Sequence, residues 1–134
     1  IIVMNGENAV VEDNTVSGGI FGIWPCDKYG VCRKNTTTGN LIGIILCKVP
    51  QAIVMPDGSV TGSEFACTSW TVRNNNSYGN QWGYLVIDGA NNNLVENNTA
   101  SNNAVYDYEL TGDSFRFGFL TPFTFENTVK VANN

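Results

Sequence analysis

Asp107 and Glu109 stand two residues apart and are the best-placed groups in the sequence for acid–base chemistry. On an extended strand, residues i and i+2 share a face. If Tyr106, Tyr108 and Leu110 turn inward, both carboxylates therefore face solvent together. Such a pair suits acid and base roles on a glycosidic bond. It also suits calcium, a hard cation that takes oxygen ligands; no other cofactor or metal is implied. Asp113 and Arg116 follow closely and add a carboxylate and a cation. The plain alternative is a solvated acidic pair bonded to the Thr111-Gly112-Asp113 corner.

Aromatic side chains supply the second chemistry. Trp24, Trp70, Trp82, Tyr78, Tyr84 and Tyr106 recur near the apolar segments. Exposed in a row, their flat faces would stack on sugar rings; buried, they would be core. Tyr84 falls in a mixed column with Ile23, Ile44 and Asp107, so its direction stays open, whereas Trp82 aligns with Phe21, Ile42 and Val105 and reads as core. The candidate ligand-binding set is Tyr84, Asp107, Glu109 and Arg116.

Cys26, Cys32, Cys47 and Cys67 read as structural. The chain has no His, and the Cys spacings fit no zinc pattern. Two disulfides, Cys26–Cys32 and Cys47–Cys67, would each close a connector in an oxidising compartment. A Cys26–Cys47 bridge between stacked layers is the competing pairing.

The elements that position these groups follow from a repeat. Asn14, Asn35, Asn75, Asn98 and Asn127 each mark the same short phrase, at intervals of 21, 40, 23 and 29 residues. A period near 22 with two insertions is the mark of a solenoid. Aligned on the marker, Val10-Val11-Glu12-Asp13-Asn14 matches Val31-Cys32-Arg33-Lys34-Asn35, Thr71-Val72-Arg73-Asn74-Asn75 and Leu94-Val95-Glu96-Asn97-Asn98. Beyond it, Ile20 to Trp24 matches Leu41 to Ile45, Gln81 to Leu85 and Ala104 to Tyr108. β-Branched and aromatic segments divided by Asn and Gly predict three short strands per repeat. Stacked repeats would align the marker amides as an Asn ladder, each Asn taking the left-handed backbone of a corner. Residues 48–65 and 111–123 are insertions rich in turn formers that leave after the same third segment. The sequons at Asn35, Asn75 and Asn97 coincide with the corners and read as repeat composition.

Composition narrows the classes. Only 14% of residues are charged and 43% are hydrophobic, which suits neither a helical bundle nor disorder. A net charge of −5 argues against nucleic acid as a partner. The longest apolar run, Leu41 to Cys47, is too short for a membrane span. One domain over residues 1–134 is expected, either whole or as the C-terminal part of a longer solenoid.

The phrases Val95-Glu96-Asn97-Asn98-Thr99-Ala100-Ser101-Asn102-Asn103 and Val11-Glu12-Asp13-Asn14-Thr15-Val16-Ser17-Gly18 resemble the repeat of right-handed parallel β-helix proteins of the pectate-lyase-like superfamily. The resemblance runs from about Val10 to Val131. It implies an all-β, right-handed parallel β-helix of about five rungs in the extracellular space or the cell envelope; the right-handed crossover preference agrees. The family's acidic calcium clusters and Asp-rich active-site strands have no counterpart in this sequence. Three functions are therefore expected in turn: carbohydrate binding without turnover, a fragment of a polysaccharide lyase, hydrolase or epimerase, or an assembly module that self-associates end to end.

Overall fold

The computed structural model describes residues 1–47, 49–65, 67–87, 90–110 and 129–132. Among them are sixteen strands and no helix. After β1 (Ile2–Glu7), strands come in threes. The first set is β2 (Val10–Glu12), β3 (Thr15–Ser17) and β4 (Phe21–Lys28), and the second β5 (Val31–Arg33), β6 (Thr36–Thr38) and β7 (Ile42–Cys47). A hairpin of β8 (Val49–Val54) and β9 (Val60–Phe65) intervenes. The third set is β10 (Thr71–Arg73), β11 (Asn76–Tyr78) and β12 (Trp82–Ile87); the fourth is β13 (Asn93–Glu96), β14 (Thr99–Ser101) and β15 (Tyr106–Leu110). β16 (Val129–Ala132) is the last.

Equivalent strands pair in parallel to give three sheets, consistent with a β-solenoid. The first sheet runs β2-β5-β10-β13-β16, the second β3-β6-β11-β14, and the third β1-β4-β7-β12-β15. The register of the first two agrees with the alignment on the marker Asn: Val11 pairs with Cys32, Cys32 with Val72, and Val72 with Val95. Residues 48–65, read as a turn-rich loop, instead hold the antiparallel hairpin, with Val49 opposite Phe65 and Gly58 at φ 82° in its turn. Val, Ile and Thr in both arms overrode the prolines and glycines.

Single residues in the left-handed conformation turn the corners. One corner uses Asp13, Lys34, Asn74 and Asn97; the next Gly18, Gly39, Gly79 and Asn102; the third Asn8, Tyr29, Ser69 and Asn92. The marker Asn was expected to take this conformation, but the residue before it does. L-residues adopt it only at a cost, and at Lys34 and Tyr29 the stacked corner holds it.

The sheets enclose a core of Val11, Ile23, Cys32, Ile44, Leu46, Cys67, Trp70, Val72, Tyr84, Val86, Ala90 and Val95. The Trp70 indole lies over Gly30, where a Cβ would collide with the ring. A second buried cluster (Ile42, Ile45, Cys47, Leu85 and Ile87) lies on the other face of the third sheet, flanked by Phe21, Trp24, Leu41 and Trp82. Apolar residues of both parities in β7 and β12 follow from this burial on two sides.

Candidate functional site

Two files of Asn run through the corners on either side of the second sheet. In the first, the backbone N–H and the side-chain Nδ2 of Asn14 both donate to Asn35 Oδ1, at 3.0 and 2.9 Å. Asn35 treats Asn75 Oδ1 the same way, and Asn75 treats Asn98 Oδ1. The remaining Nδ2 hydrogens go to backbone carbonyls: Glu12 for Asn14, Val11 for Asn35, Cys32 for Asn75 and Val72 for Asn98. Asn35, Asn75 and Asn98 are buried, and this bonding is what makes a buried amide tolerable.

The second file starts at Gly19, whose N–H donates to Asn40 Oδ1, and continues from Asn40 to Asn80 to Asn103. Sequence reading missed it, although its members stand five residues after each marker. It ends on Asp107: the Asn103 N–H and Nδ2 both donate to Asp107 Oδ1, at 3.3 and 2.7 Å. A carboxylate oxygen thus occupies the place of the next amide oxygen.

Glycine geometry explains why Asp107 has room. A Cβ on Gly22 would strike the Gly43 carbonyl oxygen; on Gly43 it would lie 2.6 Å from that of Gly83, and on Gly83 2.5 Å from that of Asp107. Asp107 is the next member of this file, on β15, the edge strand of its sheet. With no further strand beside it among the described residues, a side chain is permitted there.

Asp107 therefore aligns with Gly83, and the expected column of Tyr84 with Asp107 is corrected. β12 and β15 pair Trp82 with Tyr106, Tyr84 with Tyr108 and Leu85 with Glu109. One extra residue between Asn103 and Tyr106 shifts the fourth copy. Tyr84, a candidate ligand contact, lies inside at 2% exposure and stacks on Tyr108, with centroids 4.8 Å apart and planes 7° from parallel. Burial raises the Tyr84 hydroxyl pKa, and it pushes that of Tyr108 to about 12 with help from the Asp107 charge. Tyr106, whose inward facing was the condition for both carboxylates to meet solvent together, is 55% exposed.

Glu109 is half-buried and accepts the Trp82 indole N–H at 2.7 Å. The carboxylate pair is thus split: Asp107 closes an Asn file and Glu109 holds an indole. Trp82, read as core, flanks the outer cluster of the third sheet beside Tyr106. Arg116, Asp113 and Asn127 lie outside the described residues. β16 pairs Val95 with Val131 and Glu96 with Ala132.

All four cysteines are buried and none is bonded to another, contrary to the expected bridges. Cys32 is in the first sheet, where Asn35 Nδ2 reaches its Sγ at 3.4 Å, while Cys26 is in the third, with its Sγ on the Cys47 carbonyl. Cys67 Sγ donates to the Pro25 carbonyl at 3.0 Å. Burial pushes the Cys32 thiol to about 12 and Cys67 well above its usual value.

Asp27 contrasts with Asp107. It is buried, and among the described residues neither carboxylate oxygen has a hydrogen-bond partner. Trp70 Nε1 donates to its backbone carbonyl instead. Burial raises the Asp27 pKa, the Glu7 charge adds to the rise, and the nearby indole offsets part of it. Among the described residues no group of three His, Cys, Asp or Glu is arranged to hold a metal, and no helix is long and apolar enough to cross a membrane.

Compared with known protein families, curated proteins and solved structures, the chain shows no match.

Proposed function

We propose that the chain is a right-handed parallel β-helix of about five rungs with Asn-ladder corners. In this reading it acts in the cell envelope or outside the cell and binds carbohydrate at the exposed edge of the outer face of its third sheet, whose middle is buried, without turning it over. One observation carries this: Trp82 and Tyr106 are paired on adjacent strands at the edge of that face, with the indole N–H fixed by Glu109 and Tyr106 exposed. Neighbouring strands lie about 4.8 Å apart, so the two rings can offer one continuous apolar strip to a sugar. A carboxylate beside such a strip can accept sugar hydroxyls. Binding without turnover is supported by the split carboxylates, since Asp107 and Glu109 each serve an internal donor.

The test is titration of the protein with a panel of neutral and acidic oligosaccharides, followed by calorimetry and Trp fluorescence. Tyr106→Ala should weaken binding about tenfold, the loss of roughly 1.4 kcal/mol, with the melting temperature unchanged. A panel in which nothing binds, or a Tyr106→Ala variant that binds as the parent does, would overturn the proposal.

A further inference from the structure

The sequons at Asn35, Asn75 and Asn97 look alike in the sequence and differ in the fold. A glycan is bulky and hydrated, so a folded chain carries one only on an Asn side chain that meets solvent. In the first two sequons the Asn is the ladder residue itself. Asn35 is 1% exposed and the hydroxyl residue Thr37 0%; Asn75 is 2% exposed and Ser77 0%. Both Nδ2 hydrogens of each Asn are engaged. Asn35 donates to the Val11 carbonyl and Asn75 Oδ1, and Asn75 to the Cys32 carbonyl and Asn98 Oδ1. The hydroxyls are engaged as well: Thr37 donates to Ser77 Oγ, and Ser77 to the Gly83 carbonyl, each at 2.9 Å. A sugar on either amide would displace a ladder hydrogen and leave buried groups unpaired.

The third sequon, Asn97-Asn98-Thr99, is out of step with these by one residue. Its ladder member, Asn98, is the middle residue and is buried, while Asn97 and Thr99 on either side are both exposed. Asn97 turns the corner at φ 53°. Its backbone carbonyl accepts the Asn74 N–H, and no described residue bonds its side-chain amide. Thr99 opens β14, and its hydroxyl reaches Asn76 Oδ1 at 3.0 Å on the outer surface. The acceptor amide and the hydroxyl two residues on thus face solvent together in this sequon and are shut in together in the others. The corner joins β13 of the first sheet to β14 of the second, so a glycan here stands clear of the third sheet and its aromatic edge.

We propose that Asn97 is an N-glycosylation site and that the amide ladder closes Asn35 and Asn75 to the same modification. The donor is an oligosaccharide held on a lipid diphosphate. Asn97 Nδ2 bonds to the anomeric carbon of the sugar as the bond from that carbon to the diphosphate oxygen breaks. The lipid diphosphate leaves with the electron pair, and one Nδ2 proton passes to a base of the transferase. Thr99 supplies the sequon hydroxyl. The inference rests on the location outside the cell given in the proposed function, and not on sugar binding by the third sheet.

Expression of the 134-residue chain behind a secretory leader in a eukaryotic host tests it. The host imposes the route, so a negative result condemns the site rather than the location. Folded protein from the medium, or from the secretory compartments if it is retained there, is treated with peptide N-glycosidase in heavy-oxygen water and mapped by mass spectrometry. The expected result is label at Asn97 and none at Asn35 or Asn75, with an intact mass that carries one glycan. Thr99→Ala should lose the glycan completely and Thr99→Ser should keep it, both with the circular dichroism of the parent; Asn97→Gln serves if Thr99→Ala misfolds. Folded protein with Asn97 bare, or with a glycan on Asn35 or Asn75, would overturn the proposal.

Discussion

The two Asn files are built from the same bonds and finish differently. The first passes from Asn14 to Asn98 with an Asn at every layer. The second opens on Gly19, which has an N–H to give but no amide to receive, and closes on the carboxylate of Asp107. A file of amides can propagate wherever the next layer supplies an oxygen, and it is terminated by changing one residue. The Asp107–Glu109 pair, which looks like acid–base machinery in the sequence, contains that terminator. The same contrast separates Asp107 from Asp27: one carboxylate receives two donors, the other is buried with none among the described residues.

Changes that break the interior of these files should be the most costly. Gly43→Ala would push a methyl against Ser77, Thr37 and the Gly83 carbonyl. Backbone cannot yield as a side chain can, and a loss of about 3 kcal/mol or more is expected, read from denaturant unfolding. Asn75→Ala comes next. It strips the acceptor from two Asn35 donors and the side-chain donor from Asn98 Oδ1, at roughly 2–4 kcal/mol for buried groups left unpaired. Asp107→Ala removes the same kind of acceptor at an exposed position, where water can replace it. Its cost should be about 1 kcal/mol or less, so a melting curve near that of the parent is expected. If Asp107→Ala were as damaging as Asn75→Ala, the difference between interior and terminus would be lost.

The remaining change works in the opposite direction. Because the folded state raises the Asp27 pKa above its ordinary 3.8, the folded form holds the proton more tightly than the unfolded chain. Stability is therefore fully present below that value and declines as pH rises through the folded pKa. Asp27→Asn should remove this decline and stabilise the protein at neutral pH. Paired melts near pH 4 and pH 7 check it, and a parent whose stability does not fall between them would contradict it.

The sequence made the layers legible because register and chemistry repeat together: Val11, Cys32, Val72 and Val95 share both spacing and apolar character. Three things escaped. The hairpin β8–β9 was hidden by its prolines and glycines, which outweighed the Val and Ile around them. The slip at Asn103–Tyr106 was hidden because Val105 and Tyr106 are equally plausible partners for Trp82; the useful sign was a break in the glycine file, where Asp107 follows Gly22, Gly43 and Gly83. The candidate site moved with that slip, from Tyr84 and Asp107 to Trp82, Tyr106 and Glu109. Which face of the third sheet was outward could not be read, because β7 and β12 are apolar on both parities and both faces are buried.

Scalar couplings across hydrogen bonds test the continuous amide file most directly. Nuclear magnetic resonance on uniformly labelled protein should connect Nδ2 of Asn35 to Cγ of Asn75, and Nδ2 of Asn75 to Cγ of Asn98, with slow side-chain amide exchange at both. Absent couplings together with amide protons exchanging as fast as those of exposed Asn76 would show that the stacked file does not exist in solution.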